Sequence, residues 1–506
     1  MKVLLINPSK IHRRDAKGVR LGLPLSLMYV AAVLEKNSIP VKIFDSLISK
    51  ATEIIEYPEH TYHGVPDYYL KMVINKEKPD IVGITNPFTS QIESTIRVAR
   101  LIKEINSNIF IVVGGPHFAV LGEQFLEENN DVDVAVVGEG EIAMLELVKA
   151  LENKRPYNDI KGLIFRSKDS QNNIKIKSND LELIKDLDNL PLPAYHLIDV
   201  ERYFHFLEKG LSSRPNKNKY SISMITSRGC PYNCIFCSIH LHMGKLWRAH
   251  SADYVVSHIE HVIDKYNVQH IAFEDDNFTF DSQRCENIIN QILKKKINID
   301  WDTPNGVRAD TLSESLLSKM KEAGCQELIV ATESGDQETL DNIINKSLKL
   351  ESIIQVARWC KKLKIRLKSY FIIGFPGETK AKIQKTIDFA FMLYKKFNVR
   401  PNLLFATPLV GTKLHDMVIK NRYLAKKITP RNLASATQAR GEGMIKTKEF
   451  NPRDLKKFYQ QLESRMARLD LVKKLTSPQK FFKAFKLFIN KPSSIFSYIK
   501  RLIGNI

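Results

Sequence analysis

Three cysteines, Cys230, Cys234 and Cys237, lie in the string Arg228-Gly-Cys-Pro-Tyr-Asn-Cys-Ile-Phe-Cys-Ser238, separated by three residues and then by two. Thiolate is the soft ligand preferred by iron-sulfur clusters and zinc, and this spacing lets one short loop present all three to one inorganic centre. A structural zinc site takes four ligands; no second cysteine pair follows, although His240 or His242 could serve as the fourth. Around a four-iron cluster, three cysteines instead leave one iron open to a small molecule. Cys285, Cys325 and Cys360 have no short mutual spacing and read as core thiols.

Further polar and glycine-rich strings follow apolar runs. Phe273-Glu-Asp-Asp-Asn-Phe-Thr279 places Asp275 where it could meet an ammonium group or ribose hydroxyls, or simply cap a helix. Arg308 and Glu333, in Val307-Arg-Ala-Asp310 and Thr332-Glu-Ser-Gly335, could grip the carboxylate and amine of an amino-acid moiety, or form an internal ion pair. Ile373-Gly-Phe-Pro-Gly-Glu-Thr379 contains Gly374 and Pro376, and Phe405-Ala-Thr-Pro-Leu-Val-Gly411 contains Pro408.

The cysteine spacing, with Phe236 just before the last cysteine, resembles the radical S-adenosylmethionine (SAM) superfamily, and the resemblance extends over most of residues 1–415. It implies a 4Fe-4S cluster on Cys230, Cys234 and Cys237 whose open iron chelates SAM, and reductive cleavage of SAM to a 5'-deoxyadenosyl radical. It also implies SAM contacts from Phe236, Asp275, Arg308, Glu333, Gly374, Pro376 and Pro408. Placed before such a barrel, the amino-terminal strings Asn7-Pro8, Gly22-Leu-Pro24, Phe44-Asp45, Asp80-Ile-Val-Gly-Ile84, Val113-Gly-Gly-Pro-His117 and Asp133 to Glu141 resemble the cobalamin-binding domain. The subfamily concerned includes the anaerobic magnesium-protoporphyrin ester cyclase and cobalamin-dependent methylases. The implied cobalamin residues are Asn7, Pro8, Thr85, Gly114, Gly115, Pro116, His117, Gly138, Glu139 and Glu141. The Asp-x-His-x-x-Gly string whose histidine ligates cobalt is absent, so His117 is not assigned to the metal. Cobalamin bound without a histidine ligand, or a sheet that keeps the fold without the cofactor, both fit that departure.

The elements that must position these residues read as α/β. Over residues 1–150, Val3 to Ile6, Val41 to Phe44, Ile81 to Ile84, Ile109 to Val113 and Val134 to Val137 alternate with helical patterns, predicting a doubly wound parallel sheet of cobalamin-binding type. Such sheets bind ligands beyond the carboxyl ends of their strands, where Asn7, Thr85, Gly114 to His117 and Gly138 to Glu141 fall. Residues 151–219 read as a linker with a hairpin around Asp169 to Asn173. A second alternating series over 220–415, from Tyr220 to Ile225 through Leu403 to Thr407, predicts a partial (β/α) radical SAM barrel. Residues 416–506 read as a basic, helical carboxy-terminal region.

Length and charge set the remaining bounds. The 506 residues exceed one core and predict several domains; 43% hydrophobic and 26% charged residues are the proportions of a folded chain. Few cysteines, no leader pattern and no run long enough to span a bilayer predict a reducing, cytoplasmic setting. The net charge of +20 is concentrated: residues 451–506 hold 13 Lys+Arg against three acidic residues. On a helical wheel Phe481, Phe482, Phe485, Phe488 and Ile489 would share one face opposite Lys480, Lys483 and Lys486, with Leu487 as the exception. That face could lie on an anionic membrane, on its inner side, or pack on the protein. No RNA-binding signature accompanies the charge, so nucleic acid is not the expected partner.

The expected activity is methylation or cyclisation at an unactivated carbon of a hydrophobic or lipid-like small molecule, with flavodoxin or ferredoxin as electron donor. A methylthiotransferase acting on RNA or protein is the rival enzyme reading, but no cysteine precedes Cys230 to supply the amino-terminal cluster of that family. A non-catalytic iron-sulfur interaction protein is the other alternative.

Overall fold

The structure is a computed structural model that describes residues 1–13, 21–58, 60–208, 220–437 and 441–475. The amphipathic face read at residues 480–489 lies outside the described residues.

Seven strands build the first sheet: β1 (Val3–Asn7), β2 (Val41–Asp45), β3 (Ile81–Thr85), β4 (Phe110–Gly114), β5 (Val134–Val136), β6 (Leu163–Lys168) and β7 (Ile174–Ser178), in the order β7-β6-β5-β4-β3-β1-β2. The first five strands are parallel. Their apolar runs are continuous because both faces are covered. Val3 and Leu5 of β1 pack on one face with the helices Leu25–Lys36 and Gly140–Glu152, while Leu4 and Ile6 pack on the other with helices that include Ile92–Ile105. The order reverses between β1 and β3, so their carboxyl ends, at Asn7 and Thr85, flank the switch point where a crevice opens.

The hairpin expected in the linker is present, with Asp169 and Asn173 closing its turn. It is part of the sheet and not of a linker: β6 pairs antiparallel with β5 and continues the sheet past residue 150.

The second sheet has six parallel strands in chain order: β8 (Ser221–Met224), β9 (His270–Phe273), β10 (Asp300–Asp302), β11 (Cys325–Glu333), β12 (Arg366–Ile373) and β13 (Arg400–Phe405). This is an open, partial barrel. Several of its helices begin at a side-chain cap, with Ser251, Asp281, Ser313 and Thr379 each accepting from a backbone N–H of the first turn. The helix Pro452–Leu475, where the basic region begins, packs on the helix Lys380–Phe397. Leu455, Leu462 and Met466 enter the barrel core, and Arg465 lies 4.2 Å over the Phe391 ring. Among the described residues, no helix is long and apolar enough to cross a membrane.

Candidate functional site

The three cysteines occupy the loop that follows β8. A short antiparallel pair, Ser227–Arg228 with Arg248–Ala249, closes the neck of that loop. Inside it, Cys230 N–H donates to Gly244 O at 3.4 Å and Cys237 N–H to Cys234 O at 3.1 Å, while Ile235 N–H reaches Ile344 O at 3.0 Å. All six cysteines are free thiols; Cys285, Cys325 and Cys360 are buried, as expected of core thiols. Burial pushes the Cys230 and Cys234 thiols up and the Cys237 thiol up to about 12. A bound metal must displace those protons, since the thiolate is the ligand. Among the described residues, no three His, Cys, Asp or Glu side chains converge on a single ion. A cubane, whose thiolates bind separate irons, asks for a wider arrangement than a zinc ion does.

The polar strand ends surround this loop, but most are already engaged by protein. Arg308 donates to both Asp310 oxygens, Oδ1 at 3.0 Å and Oδ2 at 2.6 Å, and to the carbonyls of Lys346 and Ser347. Its guanidinium lies 3.8 Å over the ring of Tyr232, inside the cysteine loop. Glu333 accepts from Lys346 Nζ at 3.1 Å, both side chains being buried. Arg308 and Glu333 are therefore each paired within the protein, the alternative left open by the sequence, and their anchors border the cysteines.

Asp275, expected to face SAM, points instead at the base of the loop: it accepts from Thr226 N–H and Thr226 Oγ1 and from Ser227 Oγ. The next residue, Asp276, is pushed up to about 7 by burial and by the neighbouring Asp275 charge, and it lies near Cys230 and Cys237. Asn277, one position further, is buried with both Oδ1 and Nδ2 unpartnered. An orphaned buried amide is costly, and a polar partner added beside it would relieve that cost. Asn277 thus fits a ligand such as SAM better than Asp275 does.

Gly374, with φ +94°, lies against the carboxy-terminal helix: a Cβ there would come within 2.6 Å of Leu455 Cδ1. The close approach at Gly374 is thus one between protein elements. Its N–H, with that of Phe375, donates to Glu378 Oε2 at 2.8 Å. Glu378 is pushed up to about 7 by burial, and its Oε1 has no partner. Phe236 meets Phe375 at a ring distance of 5.8 Å, and Pro376 and Pro408 are buried.

At the carboxyl rim of the first sheet, Asn7 Nδ2 donates to Asp45 Oδ2 at 2.9 Å, so its side chain is committed to the β1–β2 edge. Pro8 and Thr85 are buried, and Gly114 pairs with Thr85. Asn86, directly after β3, is fully buried with both amide atoms unpartnered. Gly115 has φ +126°, and a Cβ there would stand 2.3 Å from Asn86 O, so only glycine fits. Pro116 is exposed beside it. The orphaned amide at the switch point, behind a turn that only glycine can make, fits a cofactor rich in amide groups.

His117 donates to or accepts from Thr89 Oγ1 at 3.2 Å and packs edge-on to Phe118 and Phe125; burial pushes it down to about 4. The ring faces the core and not the crevice. Glu139 and Glu141, expected at the cofactor rim, are instead taken by two barrel arginines: Arg228 binds both carboxylates and Arg248 binds Glu139. Gly138 brings the rim turn to the cysteine loop, where a Cβ would lie 3.4 Å from His242 O. Composition gave no sign of Arg248, Lys346 or Tyr232. Asn277 stands within the Phe273 to Thr279 string and Asn86 directly follows Thr85, but only the folded surroundings, which leave their amides unpartnered, set them apart.

Residues 224–390 match the Radical SAM superfamily and residues 19–148 match the B12 binding domain. An uncharacterized methyltransferase of Pyrococcus horikoshii is 32% identical over 84% of this chain and 84% of its own length. The cytidylyl-2-hydroxyethylphosphonate methyltransferase of Streptomyces wedmorensis is 28% identical, covering 84% of this chain and 82% of its own. In fold, the chain is similar to the radical SAM methyltransferase TsrM of Kitasatospora setae, with a TM-score of 0.67 at 16% identity, over 90% of this chain and 88% of that one.

Proposed function

This chain belongs to the radical SAM enzymes that carry a B12-binding domain, and from that premise we propose that it is a cobalamin-dependent methyltransferase acting on an unactivated carbon of a hydrophobic small molecule. The observation that carries this reading is the placement of the cysteine loop directly against the Gly138 rim of the B12-type sheet. Methyltransferases among its relatives support methylation over cyclisation.

When bound, the cluster and SAM supply a 5'-deoxyadenosyl radical, and cobalamin supplies a transferable methyl group. Cys230, Cys234 and Cys237 would hold the cluster. Arg308 stacks on Tyr232 and so stiffens the loop between the first two of these cysteines. Asn277 would donate to and accept from SAM, and Asn86 would meet the amide periphery of cobalamin at the switch point. A small one-electron donor such as flavodoxin or ferredoxin would reduce the cluster. The hydrophobic substrate and a peripheral contact with anionic membrane are supported by the Phe-and-Lys pattern of residues 480–489.

The test is anaerobic reconstitution with iron, sulfide and hydroxocobalamin, followed by SAM bearing a deuterated methyl group, reductant and lipid extracts. The expected result is retained corrinoid, 5'-deoxyadenosine and a product that has gained the labelled methyl. Wild-type protein that retains no corrinoid, or Cys234→Ala that still forms 5'-deoxyadenosine, overturns the reading; a product that has only lost hydrogen assigns cyclisation instead.

A further inference from the structure

Four buried charges join the two halves of the molecule. Glu139 stands at the N-cap position of the helix Gly140–Glu152 of the first sheet without a side-chain capping bond, and Glu141 lies in its first turn, where the helix dipole favours carboxylates. Arg228 and Arg248 face each other across the two-residue ladder that closes the cysteine loop. Arg228 Nη1 donates to Glu139 Oε1 at 3.0 Å and Nη2 to Glu141 Oε1 at 2.6 Å. Arg248 Nη1 lies 2.9 and 2.8 Å from the two Glu139 oxygens, and Ile184 N–H adds a bond to Oε2 at 2.6 Å. Arg248 Nη2 also donates to Met243 O at 3.0 Å, a carbonyl within the cysteine loop. All four side chains are buried, at no more than 7% exposure.

We infer that Glu139, Glu141, Arg228 and Arg248 form a clamp that sets the distance and orientation between the cluster and the corrinoid. The charges balance, two against two, so the network is satisfied without solvent. Its ends are specific: one is the rim turn where β5 meets its helix, the other the neck of the loop bearing the cluster ligands. Fork-shaped guanidiniums fix angles as well as distances, which a single ammonium would not. Several bonds would have to break together for the loop to shift against the rim. The four are positioning residues; none need touch a reacting atom.

The inference rests on the cobalamin reading above, and one experiment separates their failures. Wild type, Glu139→Gln and Arg248→Lys are loaded with the cluster and with hydroxocobalamin, and both cofactors are quantified. They are then reduced to the paramagnetic cluster and cob(II)alamin, and the dipolar interaction between the two spins is measured by pulsed EPR. Glu139→Gln keeps the shape and one acceptor oxygen, while Arg248→Lys keeps the charge but loses the fork. The expected result is near-normal loading of each cofactor with a distance distribution at least twice as broad as in wild type. Wild type that takes up no corrinoid overturns the functional reading. Folded variants with both cofactors and the wild-type distribution overturn the clamp, as do variants that lose one cofactor alone, which would make the network local to that site.

Discussion

Replacing Lys346 by Met tests whether the Glu333 pair supports the cysteine loop. The substitution removes an ammonium 3.1 Å from Glu333 Oε1 at a site where the two side chains are 6% and 7% exposed. Stranding one member of a buried ion pair costs about 3–5 kcal/mol, roughly two to four powers of ten in the unfolding equilibrium. Glu333 is also held at φ +67°, where β11 shifts register against β12, a conformation that persists only if its surroundings enforce it. The carbonyls of Lys346 and Ser347 receive Arg308, whose guanidinium rests on Tyr232 of the loop, so the disturbance should reach the cysteines. Lys346→Met is expected to lose stability by that amount and to bind less iron. Glu333→Gln in the same chain should recover most of the loss, because deleting both charges of a buried pair is close to neutral. Denaturant unfolding of all four members of the cycle, read on the same transition, measures the coupling, and iron per protein after anaerobic reconstitution measures the loop. A Lys346→Met protein within about 1 kcal/mol of wild type, or a double variant no better than the single one, refutes the reasoning.

Three further outcomes are expected. Asn277→Leu removes an unsatisfied amide, so it should leave the protein as stable or more so while weakening SAM binding about tenfold, the worth of a hydrogen bond to a charged group; lost stability with unchanged affinity by calorimetry would contradict this. Gly115→Ala puts a Cβ 2.3 Å from Asn86 O at φ +126°, and should cost about 1–3 kcal/mol and reduce hydroxocobalamin uptake, followed by its absorption spectrum. His258, hydrogen-bonded to Tyr195 Oη at 2.9 Å, is pushed down to about 3 by burial. Its unfolded form protonates near 6.5 and the folded one does not, so its contribution is complete above that pH and lost as pH falls towards 3. The stability advantage of wild type over His258→Gln should therefore shrink by up to about 1.4 kcal/mol per pH unit across that window, and a pH-independent difference would rule it out.

Much of the architecture was legible along the chain because it is written in short-range patterns. Continuous apolar runs as short as Val3 to Ile6 fit strands covered on both faces, and both sheets follow from their alternation with helical segments. The cysteines were legible for the same reason: their spacing is closed within eight residues. The hairpin at Asp169 was also visible, but its membership of the sheet was not, since β6 pairs with a strand about thirty residues earlier by backbone bonds that carry no side-chain signature.

The polar residues divide along the same line. By itself the sequence determined which residues stand at strand ends, because a strand and its following turn are local. Only the tertiary structure decided what those residues touch. Glu139 meets Arg248 across 109 residues, Arg308 is engaged by Asp310 and two carbonyls, and Asp275 serves the loop base, while both amide atoms of Asn86 and of Asn277 stay unpartnered. A carboxylate or guanidinium in a string looks the same whether it awaits a ligand or already has one. The desolvation that makes the difference depends on every element packed around it.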